Sequence, residues 1–326
     1  MREVAFIKQN KEKWLSFEQS FFQKRMSNPD ELASLYIEIV NDLAYAQTFY
    51  PKSKTIDYLN ELASRAYLSI YKTQRTEQNR LFAFFRYDAP YIAFSYRKQI
   101  YYSFLIFLIF AVIGVISNLY DDSFVRLILG DDYVNMSKEN IANGDPVAVY
   151  KSGSNWGSFL GITINNIRVA VVAFVMGIFG GVGTFYMLMQ NGIMVGTFQS
   201  MFYNEGVMWE SVRGIWIHGA MEIFAICIAG GAGLILAKGI LFPGTYSRYT
   251  SFRQHFKEGL QLLLSTLPFF IAAGFLEGFV TRYSNVMPNA VSVGIILVTF
   301  GLIFYYYIIY PFRINAKLKI QRNEPV

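Results

Sequence analysis

Charge is scarce in this sequence. Asp, Glu, Lys and Arg make up 16% of its 326 residues, against 53% hydrophobic residues. Soluble domains carry about a quarter charged residues, so much of this chain has a solvent other than water to satisfy. Cysteine is nearly absent. Cys227, the only one, lies in an apolar run and cannot form an intramolecular disulfide, so nothing points to a secreted framework. No cleaved leader is expected, because Lys8, Lys11, Glu12, Lys13 and Glu18 leave the first residues without an apolar core. The motifs of common catalysts are missing too. There is no Gly-x-x-x-x-Gly-Lys-Ser/Thr loop, no His-Glu-x-x-His and no Gly-x-Ser-x-Gly turn. Gly180-Gly181-Val182-Gly183 sits in an apolar run with no strand before it, so it is no phosphate loop. These absences point away from an enzyme, and no cofactor is expected. The net charge of +6 would admit nucleic acid, but the basic residues gather beside hydrophobic runs, where orientation in a bilayer explains them. No nucleic-acid partner is expected.

What is present reads as all-α: a polytopic membrane helical bundle of about six transmembrane helices, preceded by a soluble helical bundle. Val4, Phe6, Ile7, Trp14, Leu15, Phe17, Phe21 and Phe22 recur at helical spacing. A break follows at Ser27-Asn28-Pro29-Asp30, with proline and an acid placed for a helix start. Leu32, Leu35, Tyr36, Ile39, Val40 and Leu43 form a second stripe, ended by Pro51. Ile56, Leu59, Leu62, Ala63, Ala66, Ile70 and Tyr71 form a third. Three amphipathic helices can bury a common core. The aromatic segment Phe82 to Tyr96 reads either as an interfacial helix or as a further helix of the soluble bundle. The expected domains are a cytosolic helical domain over 1–98, a transmembrane domain over 99–312 with an outer loop at 121–160, and a basic cytosolic tail over 313–326.

The spans read as Tyr101–Tyr120, Val169–Met189, Ile193–Tyr203, Ile215–Ala237, Leu260–Val280 and Val291–Tyr310. The stretch 193–203 barely reaches across ~30 Å of hydrocarbon. Charge argues for keeping it. With six spans, Arg97, Lys98, Lys238, Arg248, Arg253, Lys257, Arg313, Lys317, Lys319 and Arg322 all lie on one side. Asp121, Asp122, Asp131, Asp132, Glu205 and Glu210 lie on the other. The positive-inside rule then puts both termini in the cytoplasm. Membrane lipids are therefore expected neighbours. Gly177 and Gly181, and Gly192 and Gly196, have the small-residue spacing that lets helices approach closely, and Gly230, Gly231 and Gly233 cluster in the fourth span as further helix-packing residues. They serve either packing within the chain or a homo-oligomer face.

Asn165-Asn166-Ile167-Arg168-Val169-Ala170, the run Gly177 to Thr184, and Asn191-Gly192 follow one another in an order that resembles the stage II sporulation protein M family. His218-Gly219-Ala220-Met221-Glu222 with Ala229-Gly230-Gly231-Ala232-Gly233-Leu234, and then Phe275-Leu276-Glu277-Gly278-Phe279, resemble its later motifs. The likeness covers about residues 100–312, and the front end resembles the extension of longer members. It implies a multi-pass protein of a bacterial inner membrane, without established enzymatic activity, working in a cell-envelope complex. The founding member acts with peptidoglycan-degrading partners. Members outside spore formers imply an RDD-type membrane protein or a MoxR-type ATPase as partners.

Few ionisable residues fall at membrane depth. His218 and Glu222, four apart, share one face of their span. At ~1.5 Å per residue they lie about 7 and 13 Å below the outer boundary, with Glu277 at about 7 Å on the next span. Three readings stay open: a divalent metal site, a proton or head-group site of a transporter or lipid-handling permease, and a hydrogen-bonded cluster joining two helices. Asn165, Asn166, Arg168, Arg213 and Arg282 lie near the same side as a site mouth, as counter-ions or as interfacial anchors. An open cavity reaching Glu222 would separate these readings.

Overall fold

The computed structural model describes residues 2–22, 29–71, 80–148 and 154–321. The break expected at Ser27-Asn28 and the tail residue Arg322 lie outside them. Every regular element among the described residues is helical. The chain divides into two units, Met1–Gln78 and Asn79–Val326.

The first unit holds α1 (Glu3–Phe22), α2 (Pro29–Phe49) and α3 (Lys54–Tyr71). Phe6, Trp14 and Phe17 of α1 bury against Ile39 and Ala46 of α2 and Leu59, Leu62, Ala63 and Ala66 of α3. Val4 and Leu15, off that face, are exposed. One polar contact fixes the register: the Trp14 indole donates to Asp42 at 2.8 Å, and Lys13 Nζ lies 2.6 Å from the same carboxylate. Glu3 accepts hydroxyl bonds from Ser53 and Thr55, tying the start of α1 to the turn before α3.

The second unit begins with α4 (Arg80–Ala83), a π-helical turn and α5 (Ala89–Ser95). The aromatic segment thus belongs with the membrane helices, and the unit boundary falls about twenty residues before residue 98. Then come α6 (Arg97–Tyr120), the short α7 (Phe124–Leu129) and α8 (Asp131–Ala142), α9 (Asn155–Val175), α10 (Val182–Asn204), α11 (Met208–Leu241), α12 (Arg248–Phe279), α13 (Asn289–Phe304) and α14 (Tyr310–Gln321). Helix α11 is the axis. It packs on α6, α9, α10, α12 and α13, and from Ile217 to Gly233 every residue but Glu222 and Ile223 is buried. Its Gly-Ala run makes room for that many neighbours.

Pairings fix the helix directions. Gly192 meets Phe107 and Ser200 bonds Asn118, so α10 runs parallel to α6. Ser103 bonds the Cys227 carbonyl and Ile100 packs on Gly231, so α11 opposes α6. Ser251 bonds the Gly239 carbonyl while Glu277 approaches His218, so α12 opposes α11. Gly177 meets Gly233 on α11, and Phe224 lies on Phe300 of α13. Helices α6, α10 and α12 therefore run one way, and α9, α11 and α13–α14 the other. This order collects Arg97, Lys98, Lys238, Arg248, Arg253 and Lys317 at one end, with Asp121, Asp131 and Glu205 at the other.

Among the described residues five helices are long and apolar enough to cross a membrane: Arg97–Tyr120, Asn155–Phe179, Met208–Leu241, Arg248–Tyr283 and Asn289–Lys319. Helix α10 falls outside that set because Gln190, Asn191, Thr197, Gln199 and Ser200 dilute it. Its 23 residues still extend about 34 Å, and it carries the chain from the end where α9 stops to the end where α11 starts. The alternation needs it as a sixth crossing.

Two expected boundaries shift. The span expected at Val169–Met189 straddles a turn: Gly180 and Gly181 take φ of 63° and 86°, left-handed values that glycine adopts without steric cost. Apolar residues on both sides hide this break. The second crossing instead starts at Asn155, capped by the Ser154 hydroxyl, inside the stretch expected to be outer loop. The rest of that loop is not plain coil. Val125, Val134 and Val147 pack on Met201, Phe202 and Ile215, seating α7 and α8 over the acidic end.

The small residues are used inside the chain. A Cβ on Gly177 would run into the Gly233 carbonyl, one on Gly196 into the Ala111 carbonyl, and one on Gly230 would come within 2.6 Å of Leu188 and Ser103. Gly231 faces the backbone of Ile100, and Gly181 faces Ala237.

Candidate functional site

His218 projects from the central helix α11, one turn before Glu222. Glu277 reaches the same point from α12, near its end. Gly274 and Gly278 flank Glu277, and Cβ atoms there would collide with Thr163 and with the backbone of Asn155. Those two glycines let α9 lie against α12 and bring its polar face to the carboxylates. The ligating atoms of His218, Glu222 and Glu277 all lie within 4.8 Å of one another. His218 Nε2 stands 3.6 Å from Glu277 Oε2, and Nδ1 is 2.9 Å from Thr281 Oγ1. His218 is 3% exposed and Glu277 5%, deep enough that solvent does not screen them. Glu222 is only partly buried, with Asn166 as its polar neighbour. Its Oε1 is nevertheless buried and has no hydrogen-bond partner among the described residues.

These groups form the back wall of a cavity of about 630 Å³. Helix α9 lines one side with Gly161, Ile162, Asn165, Asn166 and Val169, and α10 lines the other with Asn191, Met194, Val195 and Gln199. Ile128, Leu129 and Tyr133 cover the acidic end. The remaining side, between α9 and α10, lies on the perimeter of the bundle, where Gly161, Asn165 and Met194 are exposed. The walls are otherwise mainly apolar, with Phe107, Ile215, Trp216 and Ile223 among them. A charged side chain at bilayer depth costs roughly 2.5–3.5 kcal/mol on insertion scales, which favours such groups where a polar cavity or a partner meets them. Here a cavity does.

Of the residues expected near the mouth, Asn165 and Asn166 line the cavity. Arg168 is exposed on α9 and is not part of the lining. Arg213 donates to Asn289 at 2.7 Å, and Arg282 donates to Asn155. Both tie helix ends together at the acidic end. Two contributors were not legible beforehand. Thr281 follows Glu277 by one turn, but a threonine there carries no signal. Tyr133 sits in a stretch that reads as polar loop. Burial pushes its phenol above the ordinary value, the nearby Glu277 adds to that shift, and a bond to Ser137 acts against it. Gln199 forms a small polar node, accepting from the Trp216 indole at 3.0 Å and donating to Ser211 at 3.2 Å.

Residues 4–72 match a domain of unknown function (DUF8413), so the N-terminal bundle is a domain of its own. Comparison with curated proteins and with solved structures gives no match. Residues 103–282, which include every residue that lines the cavity, match the model of stage II sporulation protein M. This multi-pass helical membrane protein belongs to the stage II sporulation protein M family.

Proposed function

We propose that the protein is a lipid-handling, non-enzymatic component of a cell-envelope assembly in a bacterial inner membrane. Its membrane domain admits an amphiphile between α9 and α10 and holds the polar head at His218, Glu222 and Glu277. The observation that carries this reading is the cavity itself: an apolar chamber, open at the bundle perimeter, ends on the buried His/Glu/Glu cluster. A cluster serving only to pin α11 to α12 needs no such chamber. The basic end, with Arg97, Lys98, Arg248 and Arg253, is the cytoplasmic side by the positive-inside rule, and both termini lie there. The cavity then belongs to the outer half of the bilayer. The N-terminal bundle is the docking surface for cytosolic partners. An RDD-type membrane protein or a MoxR-type ATPase is proposed on family resemblance alone.

The test is lipid co-purification. The full chain is extracted in mild detergent and its retained lipids are counted by native mass spectrometry, alongside Gly161→Trp. A Cβ at Gly161 meets nothing within 4 Å, so the indole can fill the mouth without disturbing a helix contact. The expected result is one tightly retained amphiphile per chain, lost in the variant. Equal retention by both proteins, or none by either, refutes the proposal.

A further inference from the structure

We infer that His218, Glu222 and Glu277 bind one divalent transition-metal ion of the zinc type, with one coordination position turned to the cavity. The spacing carries the argument first. His218 Nε2 and Glu277 Oε2 are 3.6 Å apart, longer than the ~2.9 Å of a hydrogen bond. Two ligands on one tetrahedral ion with bonds of ~2.1 Å stand about 3.4 Å apart. Glu222 completes a set whose atoms lie within 4.8 Å of one another, a spread that small side-chain rotations close.

The surroundings fit the same ion. A metal-bound imidazole characteristically donates its other N–H to a fixed acceptor, which sets the tautomer and aims the ligand nitrogen. Thr281 Oγ1, 2.9 Å from His218 Nδ1, is placed for that role, and with Nδ1–H donating to it the Nε2 lone pair is left for the side of the ring that Glu277 approaches. Two carboxylates this close call for a positive charge, and a divalent ion neutralises both at once. It also satisfies Glu222 Oε1, which is buried and has no hydrogen-bond partner among the described residues. One imidazole with two carboxylates suits zinc better than magnesium, which prefers oxygen ligands in octahedral array. Three protein ligands leave a fourth position for an outside ligand, and the cavity lies on that side. The class of ligand follows: an anionic oxygen, phosphate or carboxylate, on the head of an amphiphile. That last step rests on the lipid-handling reading above, whereas the ion itself does not.

The experiment uses the full chain in detergent, stripped with a chelator and titrated with zinc against a chromophoric competitor, with bound metal counted by elemental mass spectrometry. One zinc per chain is expected, unaffected by excess magnesium and absent in His218→Ala and Glu277→Gln. Thr281→Val keeps all three ligands and the helix contacts, and should weaken binding about 10–100-fold. Because His218→Ala removes a buried ring, the Thr281→Val affinity and a zinc-dependent rise in the wild-type Tm stand as independent readouts. No zinc above trace in the wild type overturns the inference, and so does binding that Glu277→Gln and Thr281→Val leave unchanged. Lipid retention is then compared in stripped and reloaded protein. Retention that rises with zinc supports the anionic head group. Retention indifferent to bound zinc overturns that step while leaving the proposed function standing, and zinc binding without lipid retention overturns the proposed function and the head-group step while leaving the ion.

Discussion

Gly192→Ala adds one methyl group where α10 crosses α6, and the structure sets its cost. The new Cβ would stand 2.6 Å from the Phe107 carbonyl oxygen and 3.1 Å from Phe110 Cβ. Ordinary contact begins near 3.4 Å, so the helices must separate by about 0.8 Å at this level. The obstacle is α6 backbone, which cannot swing aside as a side chain would. Overpacking of this kind costs typically ~1–3 kcal/mol. The strain spreads along the seam, where Asn118 bonds Ser200 at 2.9 Å; losing such a membrane hydrogen bond adds about 0.6 kcal/mol. A destabilisation of about 2–3 kcal/mol is therefore expected. The assay is reversible unfolding of the purified chain in mixed micelles, followed by helix circular dichroism. Gly294→Ala on α13 is the control, since a Cβ there meets nothing within 4 Å. If both substitutions shift the midpoint equally, the close approach of α6 and α10 is wrong. If Gly192→Ala instead changes oligomeric state while unfolding is unaltered, the glycine face serves a second copy of the chain.

Other parts of the molecule give equally direct expectations. Tyr307→Phe removes a hydroxyl bonded at 2.8 Å to Ser265 of α12 from the π-helical turn Tyr305–Ile309 between α13 and α14, and should cost about 0.6–1.7 kcal/mol in the same unfolding assay. Trp14→Ala in the N-terminal unit deletes a ring that is 3% exposed together with its bond to Asp42; a loss of about 3–5 kcal/mol should make that unit protease-sensitive in the full chain while the membrane helices stay resistant. Tyr58, buried in part and bonded to Glu18 at 3.1 Å, has its phenol pushed up to about 12, by burial first and then by Glu18. A folded value above the ordinary ~10 means the neutral form supports the fold. That support is complete below pH ~10 and disappears as pH rises toward 12, so ultraviolet titration should show a late tyrosine that Tyr58→Phe removes.

The helices and their order were readable because apolar runs and amphipathic stripes report local periodicity directly. The turn at Gly180-Gly181 was not, since hydrophobicity is continuous across it and only backbone dihedrals reveal the reversal. Helix α10 posed the opposite difficulty: its Asn191, Gln199 and Ser200 weaken a membrane signal because they face a cavity or a neighbouring helix. For the site, His218 and Glu222 share a face by spacing alone, and Glu277 followed from counting residues along an antiparallel neighbour. What pairwise spacing cannot carry is the contribution of α9. Asn166 meets Glu222 only because Gly274 and Gly278 let α9 settle onto α12, and that depends on three helices at once. Arg213 and Arg282 look like counter-ions in the sequence. In the fold, asparagines at helix ends accept bonds from both.

The cavity between α9 and α10 is the centre of the account, and photo-crosslinking from within it is the most direct test. A photoreactive phenylalanine analogue replaces Trp216, whose side chain lines the chamber, and the full chain is irradiated in native membranes. A covalent lipid adduct is expected from position 216, suppressed by Gly161→Trp. No adduct is expected from the same analogue at Phe270 in the packed core. Crosslinks from position 216 to protein alone, or a lipid adduct that Gly161→Trp leaves intact, would contradict the lipid-handling reading.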